Sequence, residues 1–144
     1  MKSLLNRIND PWQVWMGRLF IAVVLFWNLQ CAIYFILSPK EFSYSFELSG
    51  TPGITAITGY GILFLMWQVP YVFALIHPLR YRISLIEAII MQFIGVTAES
   101  LLLFKTPHDF ALLRSSIVRF IVFDGAGVVI LLFAYFITRK RFFP

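Results

Sequence analysis

Four long apolar stretches are the feature of this sequence that most constrains its fold. The hydrocarbon core of a bilayer is about 30 Å thick, and a helix of about 20 apolar residues crosses it. Lipid cannot satisfy backbone N–H and C=O groups, so a spanning segment must satisfy them internally, as a helix does. We therefore expect membrane-spanning helices at about residues 15–37, 59–76, 84–104 and 117–138.

The composition supports a single membrane domain over residues 1–144. The chain is 60% hydrophobic and 13% charged, whereas charged residues make up about 25% of soluble domains. Four spans leave little chain for a separate soluble domain, and the short connections at 77–83 and 105–116 favour antiparallel neighbours. The predicted fold is an all-α, antiparallel four-transmembrane-helix bundle, with a kink expected at Pro70 in the second span.

Basic residues are distributed unevenly between the two sides of this bundle. They concentrate at the N-terminus, the second connection and the C-terminus. Since cytoplasmic segments carry the excess of lysine and arginine, both termini are predicted in the cytoplasm. The net charge of +5 then reports orientation, and a nucleic acid partner is not expected. The basic residues on the predicted cytoplasmic side are Lys2, Arg7, Arg18, Arg80, Arg82, Arg139, Lys140 and Arg141, and those on the outer side are Lys40, Lys105 and Arg114.

Residues 38–55, SPKEFSYSFELSGTPGIT, form the longest connection, on the predicted outer side. Phe42, Tyr44 and Phe46 alternate with polar residues, which suits an edge strand. Phe42 and Phe46 are also four residues apart, which suits a short helix. Aromatic residues are favourable at the depth of the lipid headgroups, so we favour the interfacial helix. SGTPG is then interpreted as a turn leading into the second span.

Six of the polar or charged side chains in the predicted spans are candidate site residues. Their depth follows from the rise of a helix, about 1.5 Å per residue. Such side chains are rare in membrane helices, where they normally turn inward and find partners. They are Asn28, Gln68 and Gln92 near the midplane, and Glu99, Arg119 and Asp124 nearer the outer surface.

The charged members of this set need partners, because an unpaired charge facing lipid is costly. Glu99 lies at a depth between Arg119 and Asp124, so we expect Glu99 and Arg119 to pair across the third and fourth spans. Arg119 and Asp124 are five residues apart, about 140° around a helix, and cannot share one narrow face. Asp124 must rely on an interior partner, on water or on a bound proton, which makes it the stronger functional candidate.

Gln92, Gly95 and Glu99 lie on one stripe of the third span. Facing Asn28 and Gln68, this stripe would form a polar core from the midplane to the outer surface. Such a core could hold a quinone, whose carbonyl oxygens accept hydrogen bonds, or the head group of a lipid. The same residues could instead form a satisfied internal network or a contact to another subunit, since polar and small side chains join membrane helices.

The sequence contains no complete catalytic or metal-binding motif. Cys31 is the only cysteine, which excludes an internal disulfide. His77 and His108 are predicted on opposite sides of the membrane and so cannot share a metal ion. We therefore assign no catalytic residue and no metal site, and a non-enzymatic role is favoured.

Two stretches carry a resemblance to a known family. In GRLFIAVVLFWNLQCAIYFILSPKEF, Arg18 stands near the start of an apolar helix with a proline–phenylalanine exit, and SGTPGITAITGYGILFL follows it. Together they cover about the first half of the chain and resemble the DoxX-like group of small bacterial four-helix membrane proteins. Members of that group are linked with quinone-dependent oxidoreductase systems, often as small subunits beside a soluble or peripheral partner. The resemblance implies a multi-pass protein of the bacterial inner membrane with a redox-associated accessory role, and it transfers no catalytic residue.

Three functional hypotheses follow. The leading one is a membrane accessory subunit whose polar core holds a quinone or a lipid, and which assembles with other membrane subunits or a peripheral redox protein. The alternative is a stand-alone proton-coupled transporter or small membrane enzyme in which Glu99 or Asp124 changes protonation. The third is a lipid-organising scaffold that uses its aromatic outer segment.

Overall fold

The computed structural model describes residues 12–139, and across these residues it is helical, with no strand. This confirms the all-helical prediction, and four of its helices are long and apolar enough to cross a membrane, as expected of a multi-pass membrane protein. Lys2, Arg7, Lys140 and Arg141, which enter the orientation prediction, lie outside the described residues. The helices are α1 (Trp12–Leu37), α2 (Pro39–Ser45), α3 (Gly50–Ile76), α4 (Arg82–Lys105) and α5 (Ala111–Arg139).

The long helices begin earlier than the apolar runs alone indicate. The largest difference is in α3, which starts at Gly50 and not at residue 59, so the predicted turn at SGTPG is confined to Ser49 and Gly50, and the rest of it is helical. Pro52 lies in the first turn of this helix, where backbone N–H groups have no intrahelical partner and a proline is tolerated. The chain turns between two residues with positive φ, Glu47 at 54° and Gly50 at 64°. Farther along, α3 continues through Pro70.

The segment after α1 forms the short helix α2, which confirms the helical alternative over the edge strand. Pro39 occupies its first turn, a position for which the fixed φ of proline is suited. The Ser43 hydroxyl donates to the Lys40 carbonyl at 2.8 Å inside the helix. The segment is therefore ordered by local hydrogen bonds of its own as well as by packing.

The four long helices form a ring. Each packs against two others, in the cyclic order α1, α3, α4, α5, while α2 packs mainly on α3. Helices on the diagonals of the ring, α1 with α4 and α3 with α5, share no close backbone contact within residues 12–139. The backbones on the diagonals are therefore too far apart to close the centre of the ring. Only side chains can fill it, and a cavity remains where they do not.

At one end of the ring, named here the arginine end, the start of α1 meets the α3–α4 connection (residues 77–81). The Arg18 guanidinium donates to the carbonyl of Ile76, the last residue of α3, at 2.7 Å. A cation at this position also complements the negative end of the α3 dipole. Arg82, at the start of α4, lies 4.7 Å from the ring centroid of Tyr135 near the end of α5.

At the opposite end, named the loop end, α2 and the α4–α5 connection (residues 106–110) meet the start of α5. The Leu112 N–H donates to Glu47 Oε1 at 3.0 Å. The Ser116 hydroxyl donates to the Ser45 carbonyl at 2.7 Å. The segment after α1 thereby supplies an acceptor to one backbone donor at the start of α5, where such donors have no partner within the helix, and a second acceptor to a side chain one turn later.

The hydrophobic core occupies the half of the ring nearest the arginine end. It is built from aliphatic and small side chains on all four long helices, together with one tyrosine. Large apolar side chains on the outside of the ring are exposed, as expected for surfaces that face lipid. The core residues are Ile21, Val24, Leu25, Tyr71, Ala74, Leu85, Ala88, Leu131 and Ala134.

Candidate functional site

A cavity of about 430 Å³ lies inside the ring, between the hydrophobic core and the loop end. Its volume falls in the range of small-molecule binding sites, about 300 to 1,000 Å³. All four long helices contribute to its walls. The lining consists of Asn28 and Cys31 from α1; Phe64, Trp67, Gln68 and Tyr71 from α3; Met91, Gln92, Ile94, Gly95, Ala98 and Glu99 from α4; and Phe120, Phe123 and Asp124 from α5.

Five of the six polar side chains singled out in the sequence line this one cavity: Asn28, Gln68, Gln92, Glu99 and Asp124. Helical spacing explains why α4 supplies two of them. Positions i, i+3 and i+7 share one face of a helix, and on α4 this face is turned toward the centre of the ring. The other three come from different helices, so tertiary packing alone brings the set together.

Two glycines let α4 and α5 approach closely enough to place these groups. A Cβ atom at Gly95 would overlap Asp124 Oδ2, so the Asp124 carboxyl lies directly against the α4 backbone. A Cβ atom at Gly127 would lie 2.9 Å from the Gln92 Cδ atom, closer than real contacts allow. Each helix therefore packs a polar side chain against a glycine of the other helix. These two contacts hold Asp124 and Gln92 at the cavity wall.

Three buried oxygen atoms on residues that line the cavity have no hydrogen-bond partner within residues 12–139: Gln68 Oε1, Gln92 Oε1 and Glu99 Oε2. The Gln68 side-chain Nε2 donates to the Phe64 carbonyl at 2.7 Å, and its oxygen is left without a partner. Gln68 and Gln92 are only 5% and 4% exposed. A buried polar group without a partner costs about 1–3 kcal/mol. The walls of the cavity thus contain three acceptors for which the described chain supplies no donor.

The sixth predicted residue, Arg119, does not join this set, and the predicted Glu99–Arg119 ion pair is wrong. The Arg119 guanidinium donates to the Ser116 hydroxyl at 2.9 Å, one turn earlier on α5. Within residues 12–139 no ion pair joins it to Glu99 or Asp124. The physical reason is the angular separation on α5: Asp124 points into the main cavity, and Arg119 points away from it.

Arg119 instead lines a second cavity of about 180 Å³ beside the first, toward the loop end. Apart from Arg119, its walls are aromatic rings and Cys31. Phe35 is at the centre of this aromatic cluster, and its ring centroid lies 4.9 Å from that of Phe42 and 6.0 Å from that of Phe46. Phe42 and Phe46 therefore pack inward against α1, whereas Tyr44 of the same segment is 72% exposed.

The main cavity opens sideways, between α3 and α4. Among its lining residues, Trp67 on α3 is 50% exposed and Ile94 on α4 is 59% exposed, and Ala98 is also exposed. These two helices pack together at the arginine end, where the Tyr71 hydroxyl donates to the Ala88 carbonyl at 3.3 Å. Toward the loop end they leave an opening that faces the side of the ring, where lipid tails would lie.

Several cavity residues were missed in the sequence. Tyr71 lies three positions after Gln68, on the same helix face, and this spacing was the signal that could have identified it. Phe120 lies four positions before Asp124 for the same reason. The contribution of Cys31 was not foreseeable in this way, because it depends on how α1 is rotated against its neighbours.

No known protein family, curated protein or solved structure matches this chain. Within residues 12–139, no three side chains of histidine, cysteine, aspartate or glutamate are grouped so that they could hold a metal ion. The chemistry that the described residues offer is hydrogen bonding to a bound molecule, together with proton exchange at two carboxyl groups.

Proposed function

We propose that this protein binds a small lipophilic molecule with a polar head group inside the membrane, in the cavity between α3 and α4. The observation that carries the proposal is the set of three buried, unpartnered oxygen atoms on Gln68, Gln92 and Glu99 around one cavity. A folded protein normally satisfies such atoms, because leaving them unpaired costs stability. A bound head group would satisfy them, and the sideways opening would admit it from the lipid.

The membrane setting of the proposal is an antiparallel bundle with both termini in the cytoplasm of a bacterial cell, in the inner membrane. Contacts near the termini of the long helices support the alternating directions. Arg18, near the start of α1, meets Ile76 at the end of α3, and Glu47, after α1, meets Leu112 at the start of α5. The positive-inside rule supports the orientation.

We further propose that the protein serves as an accessory subunit, in line with the DoxX-like resemblance and its association with quinone-linked redox systems. The cavity favours one of the two redox forms of such a ligand. The unpartnered cavity atoms are acceptors, and a quinone offers only carbonyl acceptors, whereas the reduced quinol carries two hydroxyl donors. If the ligand is of this type, the quinol is the form that fits.

A second candidate function is a stand-alone proton-coupled transporter or membrane enzyme. The observation that favours it is the presence of Glu99 and Asp124 on the same cavity, where both could exchange protons with a substrate. The scaffold hypothesis has less support. Phe42 and Phe46 pack against Phe35, so the aromatic residues it would require are largely turned inward.

Native mass spectrometry of the protein extracted with its surrounding lipid tests the proposed function. Wild type is compared with Ala98→Trp, which fills the cavity opening, and with Leu101→Trp, which adds the same bulk to an exposed position on α4 outside the cavity. We expect a small molecule at one copy per chain on wild type and Leu101→Trp, and its loss from Ala98→Trp.

Two results would contradict the proposal: no small molecule on folded wild-type protein, or equal retention by both variants. The same spectra test the accessory role. Other protein chains bound at fixed stoichiometry support it, whereas a single chain that carries a ligand favours the stand-alone candidate.

A further inference from the structure

The charge of the main cavity is unbalanced. Two of its lining residues, Glu99 and Asp124, carry carboxyl groups, and among residues 12–139 no lysine, arginine or histidine lines it. The nearest basic residue by sequence, Arg119, is hydrogen-bonded to Ser116 and faces the second cavity. Carboxyl groups within membrane helices normally pair with a positive group, because an isolated charge in lipid is costly. The described chain does not supply that group.

We infer that the bound molecule supplies it: the ligand is a lipophilic amine, with a protonated amino head group and an apolar tail. This inference rests on the proposed function and names the chemical class of its ligand. An ammonium group is a donor with no acceptor, which is what the unpartnered oxygen atoms of Gln68, Gln92 and Glu99 require. It also provides the positive charge that Glu99 and Asp124 lack.

The walls of the cavity are suited to the same ligand. Phe64, Trp67 and Phe120 line it, with ring centroids of Phe64 and Trp67 5.7 Å apart and those of Phe64 and Phe120 6.1 Å apart. Aromatic faces attract ammonium groups, with tryptophan the strongest. The apolar tail would leave through the opening between α3 and α4, where Trp67 and Ile94 are exposed.

Equilibrium binding of radiolabelled octylamine to the purified full-length protein in micelles tests this inference. Octan-1-ol, with the same chain but a neutral hydroxyl head, is measured in parallel. Glu99→Gln and Asp124→Asn remove each carboxyl charge at nearly constant shape. Glu87→Gln is the matched control, since Glu87 lies on the same helix, is exposed and does not line the cavity. Partitioning of the probes into the micelles is common to all the variants, so it does not affect the comparison between them.

We expect wild type and Glu87→Gln to bind octylamine more tightly than octan-1-ol. Either cavity variant should weaken octylamine by about tenfold or more, equivalent to about 1.4 kcal/mol, and leave octan-1-ol little changed. Ala98→Trp, which keeps both carboxyl groups, should block both probes. This variant provides a test that does not depend on the folding of the charge variants.

Different results separate the inference from the proposed function. If octan-1-ol or a short-chain quinol binds as tightly as octylamine and the carboxyl variants have no effect, the ligand is not an amine and the cavity remains a binding site. If Ala98→Trp changes the binding of no probe, both ideas are wrong.

Discussion

At the scale of single residues, the contact between Gly95 and Asp124 decides the character of the cavity. The Asp124 carboxyl occupies the space that any side chain at Gly95 would need. It is held against a neighbouring backbone and beside Gln92, which fills the space at Gly127 in the same way. A carboxyl placed like this has little freedom to move toward Arg119 or toward lipid, so it remains a cavity group.

Gly95→Ala should therefore displace Asp124 and weaken the α4–α5 contact. We expect a loss of stability of about 1–3 kcal/mol, typical of overpacking, together with weaker ligand retention. Gly125→Ala is the control, because a Cβ atom there meets nothing within 4 Å. Thermal unfolding in micelles measures the effect. In an Asp124→Ala background Gly95→Ala should cost much less, and an unchanged cost would show that the two residues are not coupled.

At the scale of elements, the segment between α1 and α3 is more than a connection. Its side chains and backbone satisfy the start of α5 through Glu47 and Ser45, and its phenylalanines pack against Phe35. Helix starts leave backbone donors unpaired, and here a distant residue pairs one of them. The segment thereby joins α1, α3 and α5 at the loop end and forms one wall of the second cavity.

Glu47 offers a test that separates its side chain from its backbone. Glu47→Ala removes the acceptor for Leu112 and keeps a Cβ atom at a φ of 54°. We expect a loss of about 1 kcal/mol, as for other helix-start residues. Glu47→Gly removes the same acceptor but relieves the positive φ, so its thermal unfolding temperature in micelles should lie above that of Glu47→Ala. The reverse order would mean that the backbone at this turn is not strained.

At the scale of the whole molecule, the two halves of the ring differ. The half nearest the arginine end is filled by aliphatic and small side chains, and the half toward the loop end contains the polar cavity. A packed half can hold the four helices in register while α3 and α4 separate elsewhere. This division permits a binding site without loss of the core.

The proposed orientation predicts which end of the ring reaches the cytoplasm. Single cysteines are introduced by Asp109→Cys at the loop end and Arg80→Cys at the arginine end, in a Cys31→Ala background. A membrane-impermeant maleimide added to intact spheroplasts should label the first and not the second, and both should react after lysis. Labelling of Arg80→Cys alone before lysis would reverse the orientation.

The helical class and the number of long apolar helices followed from the sequence, because lipid admits few other structures. Residues near the ends of the spans were less predictable. At Gly50 and Pro52 the sequence suggested a turn. Gly50 does have a turn conformation, with a φ of 64°. The helix begins there, however, and tolerates Pro52 in its first turn, so composition alone could not place the boundary.

The candidate site was likewise predictable from the sequence only in part. Asn28, Gln68, Gln92, Glu99 and Asp124 could be named from the sequence because polar atoms in an apolar span require partners, and α4 showed a shared face through its helical spacing. Which groups meet was decided by tertiary structure alone. The rotation of α5 placed Arg119 at the second cavity, away from Glu99, and close approach at Gly95 fixed Asp124 in the main cavity. Spacing along one helix determines a face, but the angle between two helices depends on how all their side chains pack together.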